Sequence, residues 1–180
     1  MKKLFVLALC LGLIMGLSAQ ERSSKFDFKF GTGFGLMGSG DMRTLSLENE
    51  LNYRINKYFT VAASLGYGKS ESGVHEHAAY LMGSLNFFVS PFRNNQRNNF
   101  RIGGGASFFN HTNFYWTSWN EQDGYTWDFN RTRTTGFNVI LEDEQRIGSR
   151  FLIGAKLFLT AGVAQGGIVS GAMIKVGVIL

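Results

Sequence analysis

The sequence predicts an all-β chain, an eight-stranded antiparallel up-and-down transmembrane β-barrel. Three observations predict it. The chain closes on an alternating segment: Ile174, Val176, Val178 and Leu180 share one parity, and Met173, Lys175, Gly177 and Ile179 share the other. A period of two belongs to strands, and an apolar strand at a chain end suits a closed barrel better than a soluble domain. The same pattern recurs in seven segments upstream, each with one almost wholly apolar face. No stretch after the first 19 residues repeats apolar residues at three- and four-residue spacing, as an amphipathic helix would.

The amino terminus reads Met-Lys-Lys, then an apolar run over 4–17, then Ser18-Ala19-Gln20. These are the three regions of a secretory signal. The run is shorter than the roughly 20 residues a spanning helix needs. Cleavage after Ala19 is expected, giving a signal over 1–19 and a barrel domain over 20–180. A lipoprotein reading centred on Cys10 is disfavoured, because Leu9 stands where a small residue is needed. Cleavage removes Cys10, the one cysteine, so no disulfide or thiol chemistry is expected. It also removes Lys2 and Lys3, which takes the net charge from +5 to +3. So small a surplus does not argue for nucleic acid. Glycine is abundant (23) and proline almost absent (1), as suits strands that pack tightly on one side and face lipid on the other.

The first strand is expected over 26–37, with Phe26, Phe28, Phe30, Phe34 and Leu36 outward and Asp27, Lys29 and three glycines inward. A tight turn follows at 38–41. The second covers 42–55, with Leu45, Leu47, Leu51 and Tyr53 outward and Ser46, Glu48, Glu50, Asn52 and Arg54 inward; Asn49 is a flaw, polar on the outward parity. The third, 59–69, puts Phe59, Val61, Ala63, Leu65 and Tyr67 outward. The fourth, 78–90, sets Leu81, Leu85, Phe87 and Val89 against Tyr80, Met82, Ser84, Asn86 and Phe88. The fifth, 100–109, sets Phe100, Ile102, Ala106 and Phe108 against Arg101, Gly103, Gly105 and Ser107. The sixth, 134–145, sets Phe137, Val139 and Leu141 against Asn138, Ile140, Glu142 and Glu144. The seventh, 150–160, sets Phe151, Ile153, Leu157 and Leu159 against Gly154 and Lys156, and a loop over 162–171 leads into the eighth.

Counted from the periplasm, the connections near 56, 92 and 147 are periplasmic, and those near 39, 73, 120 and 165 are extracellular. The longest, 110–133, falls outside, as such barrels require. Phe59 and Tyr67, and likewise Phe100 and Phe108, lie eight residues apart on one face. At a tilt near 40° that separation climbs roughly 20 Å, close to the ~25 Å apolar band between two aromatic girdles.

The inward parity carries five acids, Asp27, Glu48, Glu50, Glu142 and Glu144, and five bases, Lys29, Arg54, Arg101, Lys156 and Lys175. Buried charges persist when paired or hydrated, and eight strands enclose only what side chains can fill. A hydrated ion network inside is expected, and not an open pore. The alternative, a lipocalin-like periplasmic binder with the faces exchanged, is disfavoured because the apolar residues would overfill a narrow interior. It is also disfavoured by the lack of a Gly-x-Trp near the first strand.

With this topology and this terminal strand, the chain resembles the eight-stranded bacterial outer-membrane β-barrels of the OmpA-transmembrane-domain and OmpX type. The resemblance covers the whole mature chain. It implies residence in the outer membrane among its lipids, and insertion by the barrel-assembly machinery. Many members end in an aromatic residue that this machinery recognises, whereas this chain ends in Leu180. No peptidoglycan-binding domain is expected after the barrel.

Candidate chemistry is sparse. His75-Glu76-His77, with His111 as a third ligand, has the residue types of a metal site, but a solvated loop is the expectation and no metal or other cofactor is assigned. Small barrels that modify lipid A use His, Ser and an acid at the outer rim. Ser72, His75, Glu76 and Asp123 supply the types without a nucleophile spacing. Two glycosylation sequons, at Asn110 and Asn130, are read as chance matches. The third extracellular loop is distinctive: it holds all three tryptophans, Trp116, Trp119 and Trp127, with Tyr115 and Tyr125 beside them. With a hairpin tip at 120–124, the fifth and sixth strands would run past the membrane as a ribbon. Exposed aromatics there suit contact with an extracellular protein or glycan. The expected function is therefore a non-enzymatic, monomeric outer-membrane barrel with a structural or cell-surface interaction role. The alternatives are a channel for small solutes or apolar ligands, and a lipid-A-modifying enzyme.

Overall fold

The computed structural model describes residues 25–38, 42–72, 76–92, 98–120, 124–162 and 168–180. The expected signal over 1–19 and most of the 38–41 turn lie outside them. Eight strands close into one antiparallel barrel in chain order: β1 (Phe26–Met37), β2 (Met42–Arg54), β3 (Phe59–Ser72), β4 (Glu76–Val89), β5 (Asn98–Asn120), β6 (Gly124–Ile147), β7 (Phe151–Gly162) and β8 (Ile168–Ile179). The first and last strands seal the wall from Asp27↔Ile179 to Met37↔Val169, and the Leu180 amide donates to the Phe26 carbonyl at 3.0 Å. No edge is left within the wall, which is the condition for strands to sit in lipid.

Register fixes the tilt. From Gly31, partners lead through Glu48, Gly66, Met82 and Phe109 to Thr134. The other way round they lead through Lys175 and Gly154 to Glu144, ten residues from Thr134 on the same strand. A stagger of that size on eight strands corresponds to a tilt of about 40°.

Alternation then sorts the side chains. Outward residues form an apolar belt, with Phe34 75% and Leu85 61% exposed, while inward residues at neighbouring positions are buried. Rings line the belt at the end that carries the termini: Phe26 with Tyr53 at 4.9 Å, Phe59 with Phe87 at 5.5 Å, and Phe92 with Phe100 at 6.2 Å between centroids. Asn49 does face outward, opposite Phe30 and Leu65. Asp143 does so too, opposite Phe100 and Ala155. At this end the turns are local. The Asn56 side-chain oxygen accepts from the Tyr58 and Phe59 amides at 2.8 and 2.9 Å, and Gly148 supplies a φ of 64°.

The connection over 110–133 is strand almost throughout, reaching Asn120 and resuming at Gly124, as the ribbon expected from a hairpin tip at 120–124 requires, so β5 and β6 run well past the core limits of 100–109 and 134–145. Beyond the membrane both faces of a ribbon are wet, so the apolar-polar alternation disappears while Thr, Phe, Tyr and Trp still favour extended backbone. For a similar reason β8 begins at Ile168 rather than near 172, and β4 at Glu76.

Candidate functional site

Two regions outside the lipid belt carry the side chains singled out above: the barrel interior and the β5–β6 ribbon. In the half nearer the termini, the interior is a layer of charges. Arg101 Nη2 lies 3.0 Å from Glu50 Oε1, 2.9 Å from Glu142 Oε2 and 2.9 Å from Glu144 Oε1. Lys29 contacts Glu142 at 3.3 Å and also pairs with Glu144. Lys175 meets Glu50 at 2.7 Å and Glu48 at 3.2 Å, and Lys156 meets Glu48 at 2.6 Å. Asp27 takes Arg54 at 3.0 Å at the rim, where Arg54 is partly exposed. Asn52 links the groups: its amide donates to Asp27 and to Glu50, both at 2.9 Å, and its oxygen accepts from Arg101 at 3.1 Å.

All ten inward charges read from parity are thus brought together in this layer. It is not hydrated as expected. Glu50 is 0% exposed, and Lys29, Arg101, Glu142 and Lys175 are 1%, so no water-sized space touches them. Direct pairing replaces hydration because each carboxylate lies within reach of at least one cation from another strand.

Above this layer, toward the loops, the interior is mainly apolar, with the hydroxyls of Thr44, Ser46, Ser70, Ser107 and Thr160 buried among it. Met37, Ala78, Tyr80, Met82, Phe109, Phe158, Val169 and Met173 form a buried cluster, which Phe88 and Ile140 extend down beside the charges. Glycines make room for the rings. A Cβ at Gly68 would lie 2.1 Å from the Tyr80 ring, and one at Gly103 would lie 2.4 Å from that of Phe88. The Arg101 guanidinium stacks on Phe88 at 4.2 Å, so the two layers touch there. Tyr80 bridges them again, its hydroxyl 2.9 Å from Ser46 Oγ, one inward position above Glu48. Sequence reasoning missed this plug. Tyr80, Met82, Phe88 and Ile140 stand on the inward parity in the sequence, but a period of two is the same for an apolar and a polar interior.

The ribbon is the longest feature of the fold. β5 and β6 run 23 and 24 residues, against 12 to 14 for the others. Pairing with β4 ends at Tyr115 and pairing with β7 at Gly136, among the described residues. Above those points the two strands pair with each other to Asn120↔Gly124. Trp116 stands opposite Trp127 and Trp119 opposite Tyr125, with a register shift between Trp116 and Ser118. Tyr115 is exposed, opposite Asp128, and Phe114 packs on Phe129 at 6.2 Å.

The proposed metal and catalytic groupings do not assemble among the described residues. His75 and Asp123 lie outside them. His77 has the outward parity of β4 and His111 the inward parity of β5, so these two face opposite sides of the wall. Ser72 and Glu76 are register partners at the ends of β3 and β4. No group of three metal-ligating side chains occurs among the described residues.

No protein-family model matches the chain, and no curated protein matches it in sequence. Solved structures do match in fold. Neisserial surface protein A superposes with a TM-score of 0.63 at 14% identity, over 89% of this chain and 100% of that one. The outer membrane protein OprG from Pseudomonas aeruginosa gives 0.56 at 10%, over 89% and 98%. Ail of Yersinia pestis, in complex with the heparin analogue sucrose octasulfate, gives 0.54 at 13%, over 86% and 96%. The chain therefore has the fold of the small eight-stranded outer-membrane barrels. Its apolar belt suits it to the same bilayer. The lipocalin-like reading is overturned, because the charges are inside and the apolar face is outside.

Proposed function

We propose that this is a non-enzymatic, monomeric outer-membrane barrel that acts at the cell surface through the β5–β6 ribbon. The observation that carries the reading is the ribbon itself. About twelve residues per strand rise beyond the last belt aromatics, Phe108 and Phe137, which is roughly 40 Å of strand. It brings Tyr115, Trp116, Trp119, Tyr125 and Trp127 to its outer part, with Trp116 opposite Trp127 and Trp119 opposite Tyr125 across the ladder and Tyr115 opposite Asp128. Aromatics supply large contact area at low entropic cost, and a ribbon edge without a neighbour can accept a further strand. The partner is an extracellular protein or glycan. A solved barrel of the same fold that holds a heparin analogue supports the glycan class. Outer-membrane lipid surrounds the wall, and the barrel-assembly machinery handles the chain during insertion. Nothing in the reading requires nucleic acid, metal or cofactor.

The test is adhesion of cells bearing the protein to host cells and to a glycan array. Trp116→Ala with Trp119→Ala abolishes it while the unboiled band keeps its faster migration in SDS. Binding unchanged by the double substitution would remove the ribbon from the account.

The channel reading has one observation against it, the dry packing of both interior layers. Planar-bilayer recordings are expected to show no large, stable conductance. For the enzyme reading, the mass spectrum of lipid A from cells with and without the protein is expected to be the same.

A further inference from the structure

One outward residue is out of place on the lipid-facing wall. Asn49 lies on β2 with its side chain exposed, in a row with Phe30 on β1 and Leu65 on β3. Leu47 and Leu51 flank it along the strand. All four of these neighbours are exposed apolar side chains of the belt. The strand itself gives the depth of Asn49. Tyr53, four residues away, packs with Phe26 in the girdle near the termini. Four residues at a tilt of about 40° climb roughly 10 Å, which sets Asn49 near the middle of a ~25 Å apolar band. Asp143, also outward, differs in this respect: it pairs with Phe100, itself a girdle residue, so water is within its reach. Thr32 adds a hydroxyl to the same patch, diagonal to Asn49, since Phe30 pairs with Asn49 and Thr32 with Leu47.

A carboxamide in hydrocarbon is costly until its hydrogen bonds are made, because lipid tails neither donate nor accept. Among the described residues, no hydrogen bond within the chain reaches the Asn49 side chain. The missing partner therefore comes from outside the barrel, at the same depth. A second copy supplies one. A two-fold axis along the bilayer normal brings identical residues of two barrels together at equal depth. Asn suits that symmetry, because one carboxamide both donates and accepts. Each Nδ2 donates to the Oδ1 of the other copy, and the surrounding Leu and Phe side chains pack about the pair. The place of β2 in the ring agrees. β5 and β6, which carry the ribbon, stand three and four strands from β2 in a ring of eight. A contact on β2 leaves both ribbons free.

We propose that two copies of this barrel associate in the bilayer through the β2 wall, with Asn49 bonded to Asn49 of the second copy. The proposal rests on the outer-membrane reading of the fold and goes beyond the surface role. Each barrel is closed by its own strands, so the monomer remains the folding and binding unit. The pairing is a reversible association of finished monomers.

The test measures energy transfer between donor- and acceptor-labelled barrels in phosphatidylcholine vesicles, over a range of protein-to-lipid ratios. Cys10 lies in the expected signal, so Ser149→Cys gives the mature chain a single thiol, in an exposed turn. Labelled barrels that are otherwise wild type are expected to show transfer above the level of random encounters. Asn49→Leu lowers the association constant about tenfold, the equivalent of ~1.4 kcal/mol, as for a polar contact between membrane segments. Asn49→Gln keeps a carboxamide and retains most of the association. Val139→Leu, outward on β6 at the far wall, leaves it unchanged, and an equal loss there would overturn the β2 assignment. Equal transfer with and without Asn49→Leu overturns the site. Transfer at the random level with Asn49 in place overturns the pairing, whatever lipid or other protein then covers the patch. Migration of unboiled protein in SDS is read in parallel. A chain that forms no barrel overturns the outer-membrane reading itself, and that failure is distinct from failure of the β2 contact.

Discussion

The two halves of the barrel interior do the same job by different physics. Near the termini the space is filled by ten charged side chains and Asn52; toward the loops it is filled by Met, Phe, Tyr and Val. Both exclude water. The apolar half needs only volume and shape, so each residue contributes nearly on its own. In the charged half a carboxylate is tolerable only while its cations are in place, so every residue depends on several others. The comparison teaches that dry packing alone does not say how a barrel interior will respond to change.

The largest expected effect breaks the charged half. Arg101→Ala leaves Glu50, Glu142 and Glu144 without their shared guanidinium and removes the cap on Phe88. A loss of about 5 kcal/mol is expected, the upper end for one partner removed from a buried pair. Urea titration in bilayers, read by gel mobility, measures it. Next comes the apolar half. Phe158→Ala is expected to cost about 3 kcal/mol from lost transfer energy and the cavity left behind. A cost for Arg101→Ala below that of Phe158→Ala would erase the distinction between the halves.

A third substitution sharpens the comparison. Lys156 and Glu48 are joined at 2.6 Å, and Lys175 keeps Glu50 when they are gone. The double change Lys156→Met with Glu48→Leu removes a pair and leaves the remaining charges balanced. Replacing a whole buried pair with apolar volume is often neutral or better. The double variant is therefore expected within about 2 kcal/mol of the wild type, and each single variant well below it. Additive single costs in the double variant would mean that pairing is not what holds this layer.

The sequence revealed these regions unevenly. Parity exposed the wall and the inward charges, because lipid outside imposes a strict alternation on every strand. It placed Lys29, Glu50, Arg101 and Glu142 on one side, but it carries no information on stagger. The ten-residue offset that brings β1, β2, β5 and β6 to one point is visible only in the closed ladder. The plug was harder still. Tyr80, Met82 and Phe109 obey the same alternation as polar inward residues, so period alone does not separate a polar lumen from an apolar one. In the ribbon the alternation fades where lipid ends, and the strands were seen only through the hairpin tip and the β-favouring residue types.

The smallest expected effect lies at the seam between the halves. Tyr80 has its ring in the plug, over Gly68, and its hydroxyl on Ser46, one inward position above Glu48. Tyr80→Phe keeps the ring and removes the hydroxyl bond. If the plug needs only shape, the cost is that of one neutral hydrogen bond, about 1 kcal/mol. Ser46→Ala is expected to match it, and the double variant is expected to cost less than the two singles added, since each change removes the same bond. If Tyr80→Phe costs as much as Phe158→Ala, the seam carries the cooperativity of the charged layer up into the plug. The interior would then behave as one unit, and urea titration of these variants decides between the two.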